Sequence, residues 1–126
     1  MSTRAQVHFK NSGVYLYQHM DGNYVPLEVR NAIKDNHSDE DYLARMVFDE
    51  MQRFAGDRLR ASTGYGIGTV EHGDIEYLVV LDVDNQTVEV KTWQSESSLL
   101  LDNLEIVWAG SFEEYSNLSD DAVESF

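Results

Sequence analysis

His19 and Asp21 form the best pair in the chain for metal or acid–base work. An imidazole and a carboxylate two residues apart could share an ion, but a zinc-type site takes three or four ligands. His8, His37 and His72 are dispersed, and nothing in the sequence places them together. The chain has no cysteine, so it has no thiolate metal site, no cysteine nucleophile and no disulfide framework. Asp21-Gly22 also reads as a plain turn at a strand end. Gly64-x-Gly66-x-Gly68 invites a phosphate-loop reading, but it follows a helix and precedes a strand. A dinucleotide fingerprint needs the order strand, turn, helix. Asp82-Val83-Asp84-Asn85-Gln86 opens like a calcium loop, yet Thr87 and Trp93 stand where that loop needs glycine and glutamate. No serine, threonine or histidine sits in a recognisable nucleophile turn. No enzyme, metal or cofactor is therefore expected.

Charge is the stronger signal. The net charge is −14 on 126 residues, against a magnitude of roughly 2–8 for ordinary small domains. Residues 1–63 carry nine acids and eight bases, whereas residues 64–126 carry fourteen acids and one base, Lys91. Acidity can serve solubility alone, but solubility does not confine the bases to one half. Such a field repels nucleic acid and anionic membrane and attracts basic partners. The aromatic residues Tyr15, Tyr17, Tyr24, Tyr65, Tyr77, Trp93 and Trp108 accordingly read as packing rather than as a base-stacking platform. On a strand, side chains at i and i+2 share a face roughly 6.5–7 Å apart, a spacing of the order of adjacent phosphates. The candidate partner-binding acids are Asp74 with Glu76, Asp82 with Asp84, and the cluster Glu113, Glu114, Asp120, Asp121 and Glu124.

The elements that must position these groups are legible in part. Residues 64–93 hold the longest β-prone run, with Ile75, Tyr77, Val79, Leu81 and Val83 alternating on one face. Leu78 and Val80 face the other way, between Glu76 and Asp82, so this strand is expected to be covered at mid-length and wet at its ends. Asp84 and Asn85 supply a hairpin turn. His72-Gly73-Asp74 predicts a second turn, pairing Tyr65–Val70 with the central strand. Upstream, Ala5–Lys10 and Val14–Gln18 flank the turn signal Asn11-Ser12-Gly13. Pro26 suits the first turn of a short helix carrying Val29 and Ile33. Ser38 and Asp41 predict a capped second helix with Leu43, Met46, Val47, Met51 and Phe54 as its buried stripe and Gly56 as its stop. Ser111 to Glu114 is another capping box, and residues 117–126 are expected to fray. The expected architecture is one α+β domain over residues 1–126. An antiparallel sheet carries two consecutive helices packed on one face, and a short C-terminal helix follows.

The pieces Tyr15–Gly22, Asp41–Met46, Thr63–Gly68 and Gly73–Tyr77 together resemble a pattern in small phage- and prophage-borne proteins of unassigned function. Met20 replaces that pattern's tryptophan, and Asn23-Tyr24 its aromatic–proline pair. The resemblance implies a phage-associated origin and transfers no functional residue. In size and charge the chain is also similar to nucleic-acid mimics that phages direct against restriction or CRISPR machinery. Three functions are weighed. The first is a non-enzymatic inhibitor that occupies the basic nucleic-acid-binding surface of a host protein. The second is a small-ligand or nucleotide-binding protein with a pocket lined by His19, Asp21, Tyr65 and Tyr77. The third is a phage structural or accessory protein. No direct nucleic-acid or membrane partner is expected, and a homodimer is among the open oligomeric states. No run approaches the roughly 18 apolar residues of a span, and the opening Met-Ser-Thr-Arg-Ala-Gln lacks the apolar segment of a secretory signal. The expected location is the host cytoplasm.

Overall fold

Apolar side chains at every second position build the centre of the sheet. In β1 (Ala5–Phe9), Ala5, Val7 and Phe9 are fully buried. Leu16 of β2 (Val14–Gln18) continues the same layer, as do Val79 and Leu81 of the strand Tyr77–Asp82. The computed structural model describes residues 3–35, 40–55, 64–92 and 104–126. In chain order the strands after β2 are β3 (Tyr65–Gly68), β4 (Tyr77–Asp82), β5 (Thr87–Thr92) and β6 (Glu105–Ser111). They form one six-stranded sheet in the order β3-β2-β1-β4-β5-β6. All pairings are antiparallel except β1 with β4, which is parallel.

Two helices cover the apolar face. Helix α1 (Val25–Asp35) turns Val25, Val29, Ala32 and Ile33 inward, and α2 (Glu40–Ala55) contributes Leu43, Val47 and Met51. These are the i, i+3, i+4, i+7 positions of amphipathic helices. The approach to α1 is a single 3-10 turn, Gly22–Tyr24, laid against β1. A side chain at Gly22 would stand 2.6 Å from the Thr3 carbonyl oxygen and 2.8 Å from Ala5 Cβ, so only glycine fits there. Asp21 before it takes a left-handed conformation, φ 59°, which aspartate tolerates better than most residues. Ser38, Gly56, the side chain of Phe54, Trp93 and Leu99–Leu101 lie outside the described residues.

The fold is α+β, as the pattern of elements predicts. Three local expectations need correction. First, Tyr65–Gly68 does not pair with β4. It pairs with β2 at the far edge, because β1 already occupies that side of β4. Residues 69–76 instead cross back over the sheet. Gln6, 1% exposed, pins this crossing by donating to the Val70 carbonyl and accepting from the His72 amide. Second, Asp84 and Asn85 do lie in the β4–β5 turn, but the residue that takes the left-handed conformation there is Gln86, φ 57°. Third, after the expected short helix α3 (Phe112–Ser116), residues 117–126, expected to fray, hold a further helix α4 (Asp120–Glu124). Helix α3 starts on the expected capping box, with Ser111 Oγ accepting from the Glu114 amide and Glu114 accepting from the Ser111 amide. Ser119 caps α4, Val123 is buried, and Leu118 and Phe126 pack on the core.

Candidate functional site

The nine acids singled out by charge fall into three groups, Glu124 lying with Asp120 and Asp121 on one helix. Asp74 and Glu76 precede β4 at one end of the sheet. Asp82 closes β4 at the other end, a strand length of about 20 Å away, and Asp84 lies beyond it in the turn. Glu113 and Glu114 join this second group. Thr87 pairs with Ser111, and the Phe112 amide donates to the Gln86 carbonyl at 2.8 Å, which sets α3 beside the β4–β5 turn. Asp120 and Asp121 open α4, which packs against α1. No predicted pair stands at i, i+2 within a strand, so the phosphate-like spacing expected of them is absent from the sheet.

Several of these acids have duties inside the fold. Asp82 is buried and accepts from the Asn85 amide at 3.1 Å, from Asn85 Nδ2 at 2.8 Å and from Asn11 Nδ2 at 3.2 Å. Those donors hold its carboxyl below its ordinary value. It is therefore a clasp for two turns and is not presented to a partner. Glu114 is held down in the same direction by its capping-box bonds to Ser111. Asp120 pairs with the buried Arg30, which also donates to the Leu118 carbonyl at 2.6 Å. Asp74 pairs with Arg4 at 3.5 Å. Asp84, Glu113 and Asp121 stay exposed, Asp84 accepting from Asn11 Nδ2 at 3.0 Å. Beside Glu113 opens a groove of about 280 Å³ lined by Ile33, Gln86, Phe112, Glu113 and Ser116. The candidate interface is thus one end of the sheet, with an apolar floor from Ile33 and Phe112 and an acidic rim.

The four residues of the ligand-pocket alternative do not converge. Tyr65 and Tyr77 lie in one cross-strand row on the core side, with Gln18 and Ala5 between them. Three strand spacings put them about 14 Å apart. Both pack partly against the core. His19 turns to the opposite face, where its Nδ1 lies 3.0 Å from Tyr17 Oη. Asp21 belongs to the turn before α1.

That opposite face holds a cluster the sequence does not announce. His8 stacks on Tyr15 with ring centres 4.1 Å apart and planes nearly parallel. His72 stacks on Tyr17 at 4.9 Å. Three of the four histidines therefore share a ladder along β2, contrary to their dispersal in the chain. The signal was Tyr15, Tyr17 and His19 at i, i+2, i+4, opposite the buried Leu16. Desolvation lowers the affinity of His8 for a proton, partly offset by Glu71. Among the described residues no group of three or more potential ligands could hold a metal ion. Nor is any helix among them long and apolar enough to cross a membrane.

No protein-family model, curated protein sequence or solved structure matches the chain.

Proposed function

We propose that this chain is a non-enzymatic acidic inhibitor, phage-encoded, that occupies the basic nucleic-acid-binding surface of a host defence or DNA-processing protein. It acts in the host cytoplasm, in the manner of an anti-restriction or anti-CRISPR protein. The observation that carries this proposal is the charge distribution, fourteen acids against one base after residue 63. Its geometric support is the meeting of the β4–β5 turn with α3, which sets Asp84 and Glu113 at one end of the sheet. Carboxylates there can pair with lysine and arginine, while the groove floor takes the aliphatic stems of those side chains. The dispersal of His19, Asp21, Tyr65 and Tyr77 weighs against a small-ligand pocket.

The test is a pull-down from host lysate with the wild-type chain and with a variant carrying Asp84→Lys, Glu113→Lys and Asp121→Lys. Asp82 and Glu114 are left alone, since they hold turns. The wild type should retain a basic nucleic-acid-binding protein that duplex DNA displaces, and the variant should not. Equal capture by both chains, or capture indifferent to DNA, rejects the proposal.

A further inference from the structure

The two strands at one edge of the sheet carry no charged residue of their own. The chain's two longest stretches without Asp, Glu, Lys or Arg are residues 11–20 and 61–70. The fold makes them neighbours as β2 and β3, and β3 is the outermost strand among the described residues. Backbone groups in an antiparallel pair point alternately toward and away from the neighbour. The His19 amide donates to the Gly64 carbonyl at 2.7 Å, so in this register Gly64, Gly66 and Gly68 turn their amides and carbonyls toward β2. Ile67 therefore turns its amide and carbonyl outward, and its side chain is 71% exposed. Edge strands are normally shielded by charge, proline or a bulge. The opposite edge, β6, has Glu105, a register break beside Val90 and the acidic α3 at its end. Among the described residues β3 has none of these, and it is flanked by Gly64 and Thr69.

We propose that β3 is a self-association edge to which a second copy of this chain adds its own β3, antiparallel, across a two-fold axis. An antiparallel strand is its own complement under such an axis. Two copies at −14 each repel, and β2 and β3 add no charged residue of their own to that repulsion. A cationic partner is drawn instead to the acidic end. The outward parity allows Ile67 to stand opposite Ile67 in a hydrogen-bonded pair, Cα atoms about 5.5 Å apart. Gly66 then faces Gly68 of the second copy. Nothing lies within 4 Å of where a Cβ on Gly68 would stand, so that face stays flat.

Sedimentation equilibrium of the full chain tests this from about 10 μM to about 1 mM, since so short a contact belongs to the weak class of interfaces. The average mass should climb from 14.4 kDa toward twice that value. It should climb further at about 1 M than at about 0.1 M salt, because screening lowers like-charge repulsion. That salt dependence is opposite in sign to the one expected for a basic partner. Ile67→Asp should hold the mass at one chain. Ile67→Pro, which removes an amide that β2 does not use, should do the same. Ile106→Asp on the far edge, where Ile106 is 52% exposed, should leave the association unchanged. Circular dichroism establishes that each variant is folded. A single-chain mass at every concentration and salt overturns the proposal, as does a dimer that survives both Ile67 variants or is lost in Ile106→Asp.

Discussion

Asp82 shows how far a charge in a sequence can mislead. Its place beside Asp84 suggested a surface carboxylate, yet three donors enclose it, one of them from Asn11 in the β1–β2 turn. Nothing local announces a partner 71 residues away. Its folded carboxyl titrates below the ordinary 3.8, so the ionised clasp adds stability that is complete above that value. The contribution is lost as pH falls through the lower, folded value. Asp82→Ala should therefore lower the urea midpoint at pH 7, and the gap to wild type should close as the solution is taken below pH 3.8. Tyr115 behaves in the opposite sense. It is fully buried, and its hydroxyl donates to the Pro26 carbonyl at 2.6 Å. Burial raises the phenol above its ordinary value of 10.0. Below that value the contribution is present. Above it the unfolded chain ionises while the folded one does not, so stability falls with rising pH. Tyr115→Phe should cost about 1 kcal/mol at pH 7 and flatten the loss of stability between pH 10 and 11, both measured by urea denaturation.

At the level of elements, local chemistry was readable and long-range pairing was not. Alternation in β4, the Asn11-Ser12-Gly13 turn, the α2 stripe at Leu43, Val47 and Met51, and the Ser111–Glu114 capping box all stand where their patterns put them. The parallel contact of β1 with β4 joins strands about seventy positions apart, and no periodicity encodes it. One clue did exist. Gln6 is a polar residue amid Ala5, Val7 and Phe9, and it binds the loop that carries β3 to the far edge. Composition likewise concealed α4, whose acids and serines look disordered but which is fastened by Arg30 from α1. Arg30→Met should release that fastening. Hydrogen exchange should then show the amides of residues 120–124 losing protection while those of β4 and β5 keep theirs.

Across the whole molecule the charge asymmetry of the sequence is partly cancelled in space, since Arg4, Lys10 and Arg30 of the first half pair with Asp74, Asp82 and Asp120 of the second. The uncharged stretches pair as β2 and β3 at one edge, and Asp84 and Glu113 lie at the end where β4 turns into β5 and β6 runs into α3. The sequence showed that the second half is anionic. It could not show that the acids divide into three groups, or that Asp82, Glu114 and Asp120 are engaged by the fold itself. The surface offered to a cationic groove is accordingly smaller than a count of carboxylates suggests, centred on Asp84, Glu113 and the groove beside them. The most direct measurement is the affinity of the captured host protein for the purified chain as a function of salt, with duplex DNA as competitor. A log–log plot of affinity against salt should fall steeply, DNA should compete, and Asp84→Lys with Glu113→Lys and Asp121→Lys should abolish binding while the thermal melt stays in place. Affinity that is flat with salt and untouched by those three reversals would contradict the account.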